Sequence, residues 1–311
     1  MSPDQRRLRL RSCLELVRLP NLFTAMADVA MGVLFVRADM LPQGGWVLGL
    51  LMAASCLLYA AGVVLNDVFD FEVDKTQRPE RPLPSGRIAL GTARRLGWGL
   101  LFSGVALAGA AALLADNLRP GVVAVLLAGC TVLYDAWLKR TPLGPLAMGA
   151  CRLLNVLLGM SAAAGPLGAE HWLVGGGIGV YVAGLTWFAR NEAAESSRRQ
   201  LALAAVVMAA GIALLAWLPS WSEDLVPLIQ QQPQRWHLLM LVLGALVVWR
   251  CLRALIEPSP GQVQTAVTQG IFSLVMLDAF VSFAVRGMFP ALMIMLLLLP
   301  AIFLTQWIRP T

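Results

Sequence analysis

The 311 residues are 58% hydrophobic and 14% charged, against about 25% charge in a soluble globular domain. The apolar residues come in runs of roughly 20, the length that crosses a bilayer core, so a soluble enzyme is excluded and the runs are helices. The net charge of +6 does not point to nucleic acid, because the positive residues lie in short loops, where they set topology.

Ten apolar segments follow one another, at about 16–36, 46–65, 93–115, 119–138, 143–164, 171–190, 199–219, 236–255, 264–285 and 289–308. The last two can be trimmed or merged, which leaves nine. The start is basic and then apolar, as in a signal peptide, but the apolar part is too long and lacks a small-residue cleavage site. It reads as the first retained helix. Short loops join all the segments, so the expectation is one all-α polytopic membrane bundle of nine or ten transmembrane helices, a single domain over 1–311. The five cysteines are scattered singly and contain no CxxC pair, so they read as thiols packed in helices. His171 and His237 form no metal set.

With the N-terminus inside, 19 of the 24 basic residues fall on the cytoplasmic side and 4 opposite, which satisfies the positive-inside rule. The second, fourth and sixth segments then all end on the cytoplasmic face. Those three ends carry the most unusual polar residues of the chain.

The second segment closes with Asn66-Asp67-Val68-Phe69-Asp70-Phe71-Glu72-Val73-Asp74. If the helix continues, Asp67, Asp70 and Asp74 share a face at i, i+3 and i+7, bordered by Asn66. Carboxylates at a helix C-terminus oppose the macrodipole and repel each other, so a positive partner is expected. Mg²⁺ suits the place, because it takes a few carboxylates and bridges to phosphates; a solvated acidic helix end is the plainer alternative. A basic, proline-stiffened loop follows from Lys75 to Arg87. Its Arg78 and Arg81 can grip diphosphate oxygens bidentately, or they serve topology alone. The fourth segment ends in Tyr134-Asp135-Ala136-Trp137-Leu138-Lys139-Arg140 and the sixth in Arg190-Asn191-Glu192-Ala193-Ala194-Glu195 before Arg198. Glu192 and Glu195 lie one turn apart and read either as a second metal pair or as a mixed-charge loop. Asn21, Thr24, Asp28, Arg152, Asn155 and Asp278 lie within apolar segments. Ionisable groups there are costly and are functional candidates, or else polar glue between helices. Arg152 can pair with Asp28 or with a phosphate.

At these residues the chain resembles the UbiA superfamily of intramembrane prenyltransferases. Asn66, Asp67, Asp70 and Asp74 match its NDxxDxxxD pattern. Arg78-Pro79, Arg81-Pro82-Leu83, Ser85-Gly86 and Ile88 match its RPxRPLxSGxI element. Tyr134 and Leu138-Lys139-Arg140 match YxxxLKR, and Asn21 matches the asparagine of the first helix. The similarity runs from about residue 15 to 250. The family's second motif is rich in aspartate, and here its place reads Asn191-Glu192-Ala193-Ala194-Glu195. The stretches MGACRLLNVLLGMS and TWFARNEAAESSRR are similar to a divergent, EboC-like bacterial branch.

The resemblance implies a helical bundle around a lipid-open cavity in an inner or plasma membrane of bacterial type, with the site cytoplasmic. A polyprenyl diphosphate and an aromatic or other lipophilic acceptor are the implied partners, along with membrane lipids, and Mg²⁺ the implied cofactor. The metal set is Asn66, Asp67, Asp70, Asp74, Glu192 and Glu195. Asp67, Asp70 and Lys139 are the catalytic candidates. Asn21, Asn66, Arg78, Arg81, Tyr134, Lys139, Arg140, Arg152, Asn155 and Arg198 are the substrate-binding ones. Two other readings are a transporter or flippase using Asp28, Arg152 and Asp278 as a polar path, and a family member that binds a prenyl lipid without turning it over.

Overall fold

A computed structural model of the chain describes residues 11–36, 45–163, 165–190, 197–222 and 225–307. Every regular element among them is helical. In chain order these are α1 (Leu19–Val36), α2 (Gly45–Phe69), α3 (Phe71–Gln77), α4 (Leu90–Leu114), α5 (Arg119–Ala136) and α6 (Gly144–Met160). Then come α7 (Ala169–Ala189), α8 (Arg198–Ala216), α9 (Pro227–Gln231), α10 (Pro233–Ile256), α11 (Pro260–Arg286), α12 (Met288–Met295) and α13 (Leu298–Trp307). Among the described residues nine helical stretches are long and apolar enough to cross a membrane, and Gly144–Met160 is a shorter apolar tenth. The chain is a multi-pass membrane protein.

The long helices close into a ring. Each of α1, α2, α4, α5, α6, α7, α8, α10 and α11 packs on the next, and α11 returns to α1. A cross-contact between α1 and α6 divides this ring in two. One apolar core lies on the α2–α4–α5 side and a second on the α7–α8–α10–α11 side. In lipid, helices associate through close van der Waals packing, which small residues allow. Gly149 of α6 lies so near α7 that an added Cβ would meet the Gly179 carbonyl oxygen at 2.5 Å; one on Gly211 of α8 would meet Tyr181 N at 2.5 Å.

Near the dividing wall lies a polar cluster that joins four helices. Arg152 of α6 pairs with Asp28 of α1 at 2.8 Å. Asn155 Nδ2 donates to Asp28 Oδ2 at 2.8 Å, and Ser55 Oγ of α2 donates to Asn155 Oδ1 at 2.6 Å. Asp278 of α11 lies against Asp28, and both are fully buried. The sequence left open whether Arg152 meets Asp28 or a phosphate. It meets Asp28, because a buried charge in hydrocarbon needs a permanent counter-charge. The cysteines are free thiols packed in helices, as expected for those described, and the fold brings two of them, Cys130 of α5 and Cys151 of α6, together with sulfurs 3.3 Å apart.

Candidate functional site

The expected continuation of α2 through Asp74 is nearly met. The helix breaks for one residue at Asp70, which has φ −92° and ψ 3°, and resumes as α3. The helical hydrogen bonds carry across it, with Asp70 N donating to Asn66 O at 3.0 Å and Asp74 N to Asp70 O at 2.8 Å. Asp67, Asp70 and Asp74 therefore stay in helical register.

Each of the three carboxylates has a cationic partner. Arg81 Nη1 pairs with Asp74 at 2.8 Å and approaches Asp67 at 3.5 Å. Arg18 reaches Asp67 at 3.4 Å. Lys139, in the 3₁₀ turn Leu138–Arg140, pairs with Asp70 at 2.7 Å, and Arg140 with the same carboxylate at 3.3 Å. Arg81 is buried, at 3% exposure, so the proline-rich loop folds back onto the helix end instead of extending into water. Arg87 anchors that loop to Glu15 at 2.6 Å. The ends of α2 and α5 thus share one end of the bundle. The end of α7 joins them through Arg190, whose Nη2 donates to Thr141 O at 3.0 Å.

A cavity of about 590 Å³ opens at this end. Asn21, Asn66, Asp70, Arg78 and Arg81 line it from the predicted set, and Arg18, Gln264 and Thr268 join them. A second, more apolar chamber of about 260 Å³ lies beside it and holds Tyr134, Arg152 and Asn155. Asn66 and Arg18 line both. Asn66 Nδ2 donates to Asp135 Oδ1 at 2.8 Å. Arg198 is not brought to either space: it is exposed and donates to Ile256 O at the end of α10. Its position beyond α7 puts its guanidinium against the neighbouring helix end. Glu192 and Glu195, with Asn191, lie outside the described residues.

Arg18 and Asp135 were not among the predicted site residues. Arg18 counted only as topological charge. The available signal was its place one turn ahead of Asn21, just before Pro20. Its backbone is left-handed, with φ +46°, uncommon outside glycine, and this turn separates the helical residues 11–16 from α1.

The donors fit Mg²⁺ in kind. Asn66, Asp67, Asp70 and Asp74 offer hard oxygen ligands only, as that ion requires, and Asn66 and Asp70 face the cavity. Among the described residues no three acidic, His or Cys side chains form a closed metal cluster, so these four could offer at most part of a coordination sphere.

Comparison with known proteins places the chain. A segment of 168 residues is 32% identical to digeranylgeranylglyceryl phosphate synthase of Saccharolobus solfataricus, covering 54% of this chain and 56% of that one. Another, of 157 residues, is 36% identical to the Ignicoccus hospitalis enzyme of the same name, covering 50% and 48%. The chain therefore matches about half the length of these curated relatives. A solved structure concerned with digeranylgeranylglyceryl phosphate synthase superposes with a TM-score of 0.65 at 21% identity, over 90% of this chain and 99% of that one. A UbiA homologue from Archaeoglobus fulgidus bound to GPP and Mg²⁺ superposes with a TM-score of 0.59 at 14% identity, over 85% and 99%. At these identities the two structures establish the fold. The profile of the UbiA prenyltransferase family matches residues 25–275, more than half of the chain, which belongs to that family.

Proposed function

We propose that the protein transfers a prenyl group from a prenyl diphosphate to an aromatic or other lipophilic acceptor within the membrane, with Mg²⁺ as cofactor. One observation carries this reading. Acids from α2 and α3 and cations from Arg18, the proline-rich loop and the turn after α5 meet at one end of the bundle, around a polar cavity that adjoins an apolar chamber. The relatives named above as digeranylgeranylglyceryl phosphate synthases and the Mg²⁺- and GPP-bound neighbour support it.

Departure of diphosphate builds negative charge on its oxygens as the C1–O bond breaks. Groups already in position stabilise that charge without reorganising. Asp67, Asp70 and Asp74, with Asn66 beside them, and Glu192 and Glu195 from the motif that follows α7 in sequence, are the proposed metal ligands. Bound there, Mg²⁺ would supply the charge that neutralises the diphosphate. Arg78 and Arg81 of the loop and Asn21 of α1, which line the polar cavity, are the proposed donors to its oxygens. Lys139 and Arg140 neutralise Asp70 in this structure; with a metal ion held by that carboxylate they would be free to receive the leaving group. The apolar chamber keeps water from the electron-poor prenyl carbon. The site is proposed to face the cytoplasm, by the positive-inside rule, in a membrane of bacterial inner or plasma type.

The transporter reading loses its support at the polar cluster: Asp28 and Asp278 are fully buried in the helix packing and Arg152 is paired with Asp28, so the three form one closed cluster and not a path. The test is release of diphosphate from labelled geranyl diphosphate by the purified protein with Mg²⁺ and a lipophilic acceptor. Asp70→Asn is expected to lower turnover at least a hundredfold with little change in melting temperature. Unchanged turnover would remove the metal assignment.

A further inference from the structure

Cys130 of α5 and Cys151 of α6 face each other across the seam between two apolar helices, with sulfurs 3.3 Å apart. Both are free thiols and half-buried, and neighbours hold each in place. Cys130 donates to Ala147 O at 3.7 Å, Cys151 donates to Cys130 Sγ, and Thr131 Oγ1 donates to Cys151 Sγ at 3.9 Å. Ala147 and Cys151 lie one turn apart, on the face of α6 that meets α5. No part of the proposed prenyl transfer uses the two thiols. We propose that they are a redox pair, closed to a disulfide by a neutral, lipid-soluble quinone that arrives from the bilayer.

The chemistry open to the pair is narrow. Two thiols make half of a tetrahedral zinc site, and among the described residues no third ligand joins them. From 3.3 Å the sulfurs need to approach by only about 1.3 Å to reach bonding distance. Depth selects the oxidant. Cys130 lies six residues before Ala136 at the end of α5 and Cys151 seven after Gly144 at the start of α6, about 9–10 Å along each helix. Glutathione disulfide is charged and water-borne, and exchange with it would put a thiolate in hydrocarbon, at high cost. The lipid side is open instead. Gly129 and Ala150, next to the two cysteines in sequence, are exposed, and an added Cβ on Gly129 would meet nothing within 4 Å. On an apolar helix that opening faces lipid. A quinone accepts two electrons and two protons together. Two S–H bonds break, one S–S bond forms and the quinone leaves as hydroquinone, so no charge stays in the apolar layer. Cys151 also lines the chamber, so the bond would tie its α5 wall to its α6 wall. The pair would then register the oxidation state of the bilayer and not of the aqueous phase.

The test uses the full-length protein, reduced and desalted, in nanodiscs under nitrogen. The oxidant is duroquinone, whose four methyl groups block addition of a thiol to the ring. Glutathione disulfide at the same concentration is the comparison, and empty nanodiscs are the blank. Duroquinone is expected to give one hydroquinone per protein, a mass loss of two hydrogens and a peptide pair linked through Cys130 and Cys151. That link is expected to form at least tenfold faster than with glutathione disulfide. Absence of the link, a link through other cysteines instead, or closure by glutathione disulfide at least as fast overturns the proposal without any variant. Cys151→Ser adds a second arm: it is expected to abolish hydroquinone formation, whereas Cys13→Ser leaves it unchanged. Hydroquinone still formed by Cys151→Ser also overturns the proposal.

Discussion

Arg18 bends the chain into a left-handed turn that costs a non-glycine residue of order 1–3 kcal/mol. The pairing with Asp67 and a place on both cavities are what that strain secures. Arg18→Gly relieves the backbone and deletes the charge. It is expected to leave the melting temperature nearly unchanged while weakening Mg²⁺-dependent geranyl diphosphate binding at least tenfold by calorimetry. Arg152 behaves differently, because Asp28 has no other cation beside it in the cluster. Arg152→Met strands a buried carboxylate, and breaking such a pair costs roughly 3–5 kcal/mol, visible as a lower unfolding midpoint in detergent. The acids of the first motif were legible in the sequence because three carboxylates on an apolar helix end demand compensation. Arg18 was not legible, since one arginine among several at a basic N-terminus carries no pattern. Asp135 was hidden for the opposite reason: its neighbours Tyr134 and Lys139 already explained the segment.

At the level of helices, the hydrophobic runs were readable to within a few residues for most spans, because a membrane leaves the backbone few other choices. The final run also falls where expected, but its internal break was not legible. It breaks into α12 and α13 at residues 296–297. Pro300, in the first turn of α13, has no N–H to return to Leu296 and so favours a fresh helix start. The expected acidic helix of Asp67, Asp70 and Asp74 kept its register although Asp70 interrupts it. Close approach of α7 and α8 could not be read from glycine content alone, because only the fold tells which glycines face a neighbour. Gly211→Val is expected to force these helices apart and destabilise the protein by about 1–3 kcal/mol, the range for overpacking, measured by thermal unfolding in one detergent. A shift no larger than that of Gly49→Val, at a glycine facing open space, would remove that role.

For the whole molecule, ring closure gathers residues some 70 positions apart, such as Asp70 and Lys139, at one end. That convergence followed from counting basic residues on alternate loops; the division of the interior into two spaces did not, because it depends on the α1–α6 cross-contact. The proposed orientation puts Glu80 inside and Asp116 outside. In intact cells an impermeant maleimide should label Asp116→Cys and spare Glu80→Cys, and the reverse pattern would invert the topology. The shared wall has a kinetic corollary. Arg18 and Asn66 touch both compartments, so under the proposed prenyl transfer donor and acceptor would be held together and not in turn. Turnover should then require simultaneous occupancy: initial-rate lines drawn at several acceptor concentrations should intersect, whereas a parallel family would mean that one partner departs before the other arrives.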